Sequence, residues 1–160
     1  MAPDIFAKIG DIKGESIDSK HKDEIELLSW SWGVSRSVSG SGSGAGAGTG
    51  KAHFSDLSFT HKIDKASPLL LKGCATGQHL KEATITRRKA GKGQQEYLVI
   101  KMNDVVITSV AEEDDGGSGQ VEAVTLAFAK VDLEYRPQKQ DGSLDAGIHF
   151  KYDIKANKEF

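Results

Sequence analysis

The chain has a single cysteine, Cys74, in 160 residues, so no internal disulfide can form and packing alone must hold the fold. Nowhere do eighteen apolar residues run together, which leaves no candidate for a membrane-spanning helix. The amino-terminal segment lacks a charged region followed by an apolar stretch, so it is not a Sec signal peptide; a chain of this kind that leaves the cytoplasm leaves it folded, by another route. Large net charge is missing too. A formal charge of -2 and a pI near 6.2 give no global attraction to nucleic acid or to an anionic membrane, and point to protein partners.

Catalytic and metal-binding patterns are equally scarce. Residues 39–50 end in Gly50-Lys51, but a phosphate loop needs glycine five places before Gly50 and a hydroxyl after the lysine, where this chain has Ala45 and Ala52. Glu112, Glu113, Asp114 and Asp115 are consecutive, and four consecutive carboxylates diverge instead of converging on one calcium ion. They read as a solvated acidic loop. His21, His53, His61, His79 and His149 show no zinc spacing. Cys74 and His79, five apart on one predicted helix, stand roughly 140° apart around its axis and do not meet as nucleophile and base. Arg87, Arg88, Lys89 and Lys92 form a basic cluster with no interleaved aromatics, which speaks against nucleic acid. No acid, base and nucleophile set can be assembled, so no enzyme, cofactor or metal is expected.

What the chain does have is alternation. Across residues 24–38 Leu28, Trp30, Trp32 and Val34 share one parity, while Ser29, Ser31, Gly33 and Ser35 share the other. This predicts one β-strand with a large apolar face, its two indoles in the core, and a smooth neutral face of serines and glycine. Residues 39–50 have no side chain larger than Thr49 and predict a flexible arm that orders only against something else. Residues 52–63 read as a strand with a bulge near Ser55 and Asp56, and Ser67-Pro68 predicts a helix to about Leu80 with Ser67 as its N-cap. Leu70, Cys74, Leu71 and Ala75 would form its packed stripe, against the cost of about 1 kcal/mol each for Gly73 and Gly77. Further strands are expected at 83–89, 97–110, 121–135 and 148–154. An apolar phase slip in 121–135 places a bulge near Ala129 and Lys130. Seven or eight strands and one helix make a mainly β domain over 1–160, a β-barrel or tight sandwich.

The blocks SWSWGVS at 29–35, DLSFTHKIDKASPLLLKGCATGQHLKEA at 56–83, RKAG at 88–91, EYL at 96–98 and DIKANK at 153–158 resemble the Hcp family, the haemolysin-coregulated proteins of the bacterial type VI secretion system. The resemblance runs from the first strand to the last. It implies an antiparallel β-barrel with a short helix beside it, assembling as a homohexamer into rings that stack into the inner tube of the apparatus. It also implies a contractile sheath, a spike protein and effector proteins as partners, and a place in the cytoplasm before secretion through the apparatus. With the chain stopping shortly after the final strand, no carboxy-terminal effector extension is expected. On this reading Ser31, with Ser29 and Ser35 beside it, faces the lumen and touches cargo. Ser39, Gly40, Gly42, Gly44, Gly46, Gly48 and Gly50 form a ring-stacking arm. The alternative from a different class is a stand-alone barrel that holds a small apolar ligand.

Overall fold

The computed structural model describes residues 4–38, 49–89, 93–117 and 119–160. Ten strands and one helix follow in the order β1 (Ile5–Ile9), β2 (Ile25–Ser31), β3 (Val34–Val38), β4 (Thr49–Phe54), β5 (Leu57–Lys62), α1 (Ser67–Thr76), β6 (His79–Arg88), β7 (Glu96–Glu113), β8 (Val121–Tyr135), β9 (Ile148–Asp153) and β10 (Lys158–Glu159). Strands β8, β5, β2, β1, β6 and β7 lie side by side, all antiparallel, and β7 pairs again with β8, closing a six-stranded barrel. Closure removes the open edges of those six strands. Strands β9 and β10 continue outward from the lower half of β8.

The barrel is filled by its own side chains. Leu57, Leu126 and Ile107 form one inward layer across β5, β8 and β7, and Phe59, Val124 and Val110 form the next. Each fully buried Leu, Ile or Phe stabilises the fold by roughly 1.5–3 kcal/mol. A packed interior of this kind counts against the ligand-holding barrel.

The expected single strand over 24–38 is two strands. The chain leaves the barrel at Trp32-Gly33, and β3 pairs only with β4 in a separate hairpin. A register shift between Leu27 and Ser29 explains why simple parity misplaced one side chain: Leu27 is buried, whereas Leu28 sits in the bulge at 52% exposure. Trp30 and Trp32 pack against the core, half-buried, and Val34 is exposed on the hairpin. The bulge expected at Ser55 and Asp56 is the matching return crossing. There the Gly33 amide donates to Ser55 Oγ at 3.0 Å and the Ser55 amide to the Gly33 carbonyl at 3.0 Å.

Helix α1 ends at Thr76, short of Leu80, because Gly77 takes the left-handed conformation with φ 67° and Leu80 already belongs to β6. Its N-cap is Ala66, not Ser67, which is the first helical residue and accepts the Asp64 amide on Oγ at 3.1 Å. The buried face is Ala66, Leu70 and Gly73; Leu71 and Ala75 are exposed. A side chain at Gly73 would crowd Ile107 Cδ1 at 3.1 Å, so here glycine sets how closely the helix approaches β7. In β8 no register shift falls at Ala129 and Lys130. The shift against β7 lies between Ile107 and Ser109, and the change of apolar parity coincides with Asp104 in the opposite strand, held at φ 54°.

Candidate functional site

Two outward rows of small side chains cross the barrel. Ser31 pairs with Ser58, Ser58 with Thr125, and Thr125 with Ser109, so one row runs over β2, β5, β8 and β7. Parallel to it Ser29 pairs with Thr60, Thr60 with Ala123, and Ala123 with Ala111. Cross-strand partners share a face, so register alone assembles this wall from four distant stretches of sequence. Every member is exposed or half-buried, and none is charged.

The hydroxyls are tied to one another. Ser29 Oγ and Thr60 Oγ1 lie 2.6 Å apart. Thr125 Oγ1 lies 2.7 Å from Ser109 Oγ and 2.6 Å from Thr108 Oγ1, and Thr108 Oγ1 donates to Asp56 Oδ2 at 2.7 Å. The Asp56 carboxylate accepts only, so it fixes the direction of the chain: Ser109 donates to Thr125, Thr125 to Thr108, and Thr108 to Asp56. The bulge in β7 puts Thr108 and Ser109 on the same side and makes the chain possible. The result is a flat polar surface whose hydrogen bonds are largely satisfied within itself.

Of the residues singled out from sequence, Ser29 and Ser31 stand together on this wall, while Ser35 lies on β3, paired with His53 and away from it. Gly50 lies in β4, where Arg36 Nη1 donates to its carbonyl at 2.8 Å; Ser39, Gly40, Gly42, Gly44, Gly46 and Gly48 are outside the described residues. Ser58, Thr60, Thr125, Thr108 and Ser109 were missed. Their signal was present, since Ser58 and Thr60 alternate with Leu57 and Phe59, but only the register joins them to Ser31.

Directly inside the upper end of the wall lies a row of a different character. His61 on β5 pairs with Glu122 on β8, which pairs with Glu112 on β7. His61 Nε2 donates to Glu122 Oε1 at 2.6 Å with both side chains fully buried, and Nδ1 lies 3.9 Å from Asp64. Burial lowers the His61 pKa, and Asp64 and Glu112 pull it partly back. A side-chain hydrogen bond to Glu122, then desolvation, raises Glu112 to about 7. No His, Cys, Asp and Glu group suited to a metal ion occurs among the described residues, and no helix there is long and apolar enough to cross a membrane.

This barrel superposes on solved type VI secretion proteins over nearly its whole length. The chain superposes on one described as a type six secretion system protein with a TM-score of 0.91 at 29% identity, covering 99% of this chain and 100% of that one. It matches the crystal structure of Hcp1 from Salmonella typhimurium with a TM-score of 0.80 at 40% identity over 100% of both. A curated relative, Protein hcp1 of Pseudomonas aeruginosa, is 52% identical over 160 residues and is matched over 98% of each chain. The family model described as "Type VI secretion system effector, Hcp" matches residues 6–135, and the chain belongs to the Hcp family.

Proposed function

We propose that this chain is the structural subunit of a type VI inner tube, forming hexameric rings that stack into a hollow cylinder, with the hydroxyl wall turned to the bore. The observation that carries the reading is the uncharged face running unbroken across four strands, from Ser31 to Ser109. A channel that passes different effectors needs a lining without long or charged side chains, which would bind some cargoes and block others. Side-by-side contacts that close give a ring, and a second contact along the axis that stays open gives a tube. The hairpin of β3 and β4, with all five β3 residues exposed, supplies the base of a stacking arm whose tip is the glycine-rich stretch. The sheath, spike and effectors are its partners, and the subunit leaves the cytoplasm through the apparatus.

Replacing Ser31 by arginine tests the wall. Ring size by size-exclusion chromatography with light scattering stays unchanged while co-purifying effector falls. Unaltered effector retention would remove Ser31 from the lumen, and a monomer at every concentration of the unmodified protein would sink the tube itself.

A further inference from the structure

Ring closure needs two unlike patches on different flanks of one subunit, at one height, that fit each other. Strand β7 runs past Val106, where its pairing with β6 ends, and continues with β8 to a hairpin tip carrying Glu113, Asp114 and Asp115. Its described residues are bonded to one another: the Gly116 amide donates to Asp114 and the Gly117 amide to Asp115, both at 2.9 Å, and Gln120 Nε2 donates to the second Asp114 oxygen at 3.1 Å. At the same end of the barrel, past β6, a groove of about 740 Å³ opens between α1 and the ends of β1 and β6. Lys8, Lys72 and Lys81 line it, with Leu69 at 45% exposure, and Asp11 and Glu82 complete its rim. None of these three lysines takes part in an ion pair among the described residues.

We propose that the acidic β7–β8 tip of one copy docks into the lysine-lined groove of the next copy around the ring. The inference rests on the ring reading above and names one of its lateral contacts. The shapes match as projection and recess, and the charges match as three carboxylates against a groove in which three lysines outnumber the two acids, Asp11 and Glu82. The bonds that Asp114 and Asp115 already make to Gly116, Gly117 and Gln120 lower the entropy cost of docking those carboxylates. Opposite charges at two ends of one lateral contact additionally set its direction, since tip against tip and groove against groove both repel.

Charge reversal tests this in the full chain. Glu113→Lys, or Lys72→Glu together with Lys81→Glu, is expected to weaken ring assembly by about tenfold or more in sedimentation velocity at low salt. A chain carrying both sets is expected to regain assembly, because its reversed tip meets a reversed groove. Single-set variants that assemble at the concentration of the unmodified protein would overturn the contact and leave the ring intact. Failure of the combined variant to recover, with each set alone impairing assembly, would also overturn it. If the unmodified protein forms no ring, the tube reading fails and this contact with it.

Discussion

Two outer faces of the same barrel have opposite fates. Over β1 and β6 the chain covers its own sheet: the segment 13–24 folds back as a strap, with the Gly14 amide bonded to the Asp23 carbonyl at 2.7 Å and the Ser16 amide to the Glu24 carbonyl at 3.0 Å. A side chain at Gly14 would meet the Glu24 carbonyl oxygen at 2.5 Å, so only glycine permits that approach. Beneath the strap Phe6 points outward from β1 yet is 1% exposed, because the His21 ring stacks on it at 4.4 Å and the Arg88 guanidinium lies 4.6 Å from its centroid. Arg88 holds both Asp18 oxygens, at 3.0 and 2.8 Å, and His21 reaches Glu24 at 3.0 Å and Glu96 at 2.7 Å. Among the described residues nothing comparable lies on the hydroxyl wall over β2, β5, β8 and β7. Long charged and aromatic groups fasten a cover, whereas short neutral hydroxyls bond to each other and leave little for a cover to hold.

The contrast is broken hardest on the covered face. Arg88→Ala leaves the Asp18 carboxylate and the Phe6 ring without their partner and is expected to cost about 3 kcal/mol in urea unfolding. A loss below about 1 kcal/mol would make the strap ornamental. Next comes acid. The Arg88 guanidinium holds Asp18 at about 2, below its ordinary 3.8, so the stability this pair contributes is complete above pH 3.8 and is lost as pH falls from there through 2. Asp18→Asn is expected to flatten the midpoint-versus-pH curve in that window, and an unchanged curve would contradict the assignment.

On the bare face the same kind of change is expected to do little to the fold. Ala123→Lys puts a long cation in the middle of the wall and is expected to alter stability by no more than about 0.5 kcal/mol while lowering effector retention. A large destabilisation would show that the wall is packed after all. The smallest effect belongs to the His61, Glu122 and Glu112 row behind it, which is buried at His61 and Glu122 and exposed at Glu112. Glu112 rises from 4.5 to about 7, so its contribution is complete below pH 4.5 and is lost as pH climbs through 7. His61 acts in the opposite sense, losing its contribution as pH falls through 6.5, with Glu122, Glu112 and Asp64 facing it and Glu15 facing Asp64 in turn. Glu112→Gln is expected to raise stability slightly at pH 8 and change nothing at pH 5. Solvent screening at the exposed Glu112 keeps the gain small. A loss at pH 8 would contradict the raised pKa of Glu112.

The sequence carried the barrel, the helix start and half of the wall, because alternation over 57–62, 121–128 and 29–31 is a local property. It did not carry what depends on partners. Leu28 was misplaced because one extra residue in β2 shifts parity and leaves no compositional mark. Residues 24–38 read as one strand because Trp32-Gly33 continues the alternation while the backbone departs to another sheet. Phe6 on an outward position was invisible as a core residue, since its cover comes from 15 to 82 positions away in the sequence.

The crossing at Gly33 and Ser55 has a mechanical meaning. Both threads of the outlying hairpin pass through one cross-linked point, and just beyond it Trp32, Phe54, Phe150 and Tyr152 interlock with ring centroids 5.0 to 6.4 Å apart. Tension applied to the far end of the hairpin is therefore delivered to this aromatic knot, and from there to β8 of the cylinder through Phe128 and through β9. The load is shared between two routes into one barrel strand instead of falling on the single covalent link at Trp32-Gly33.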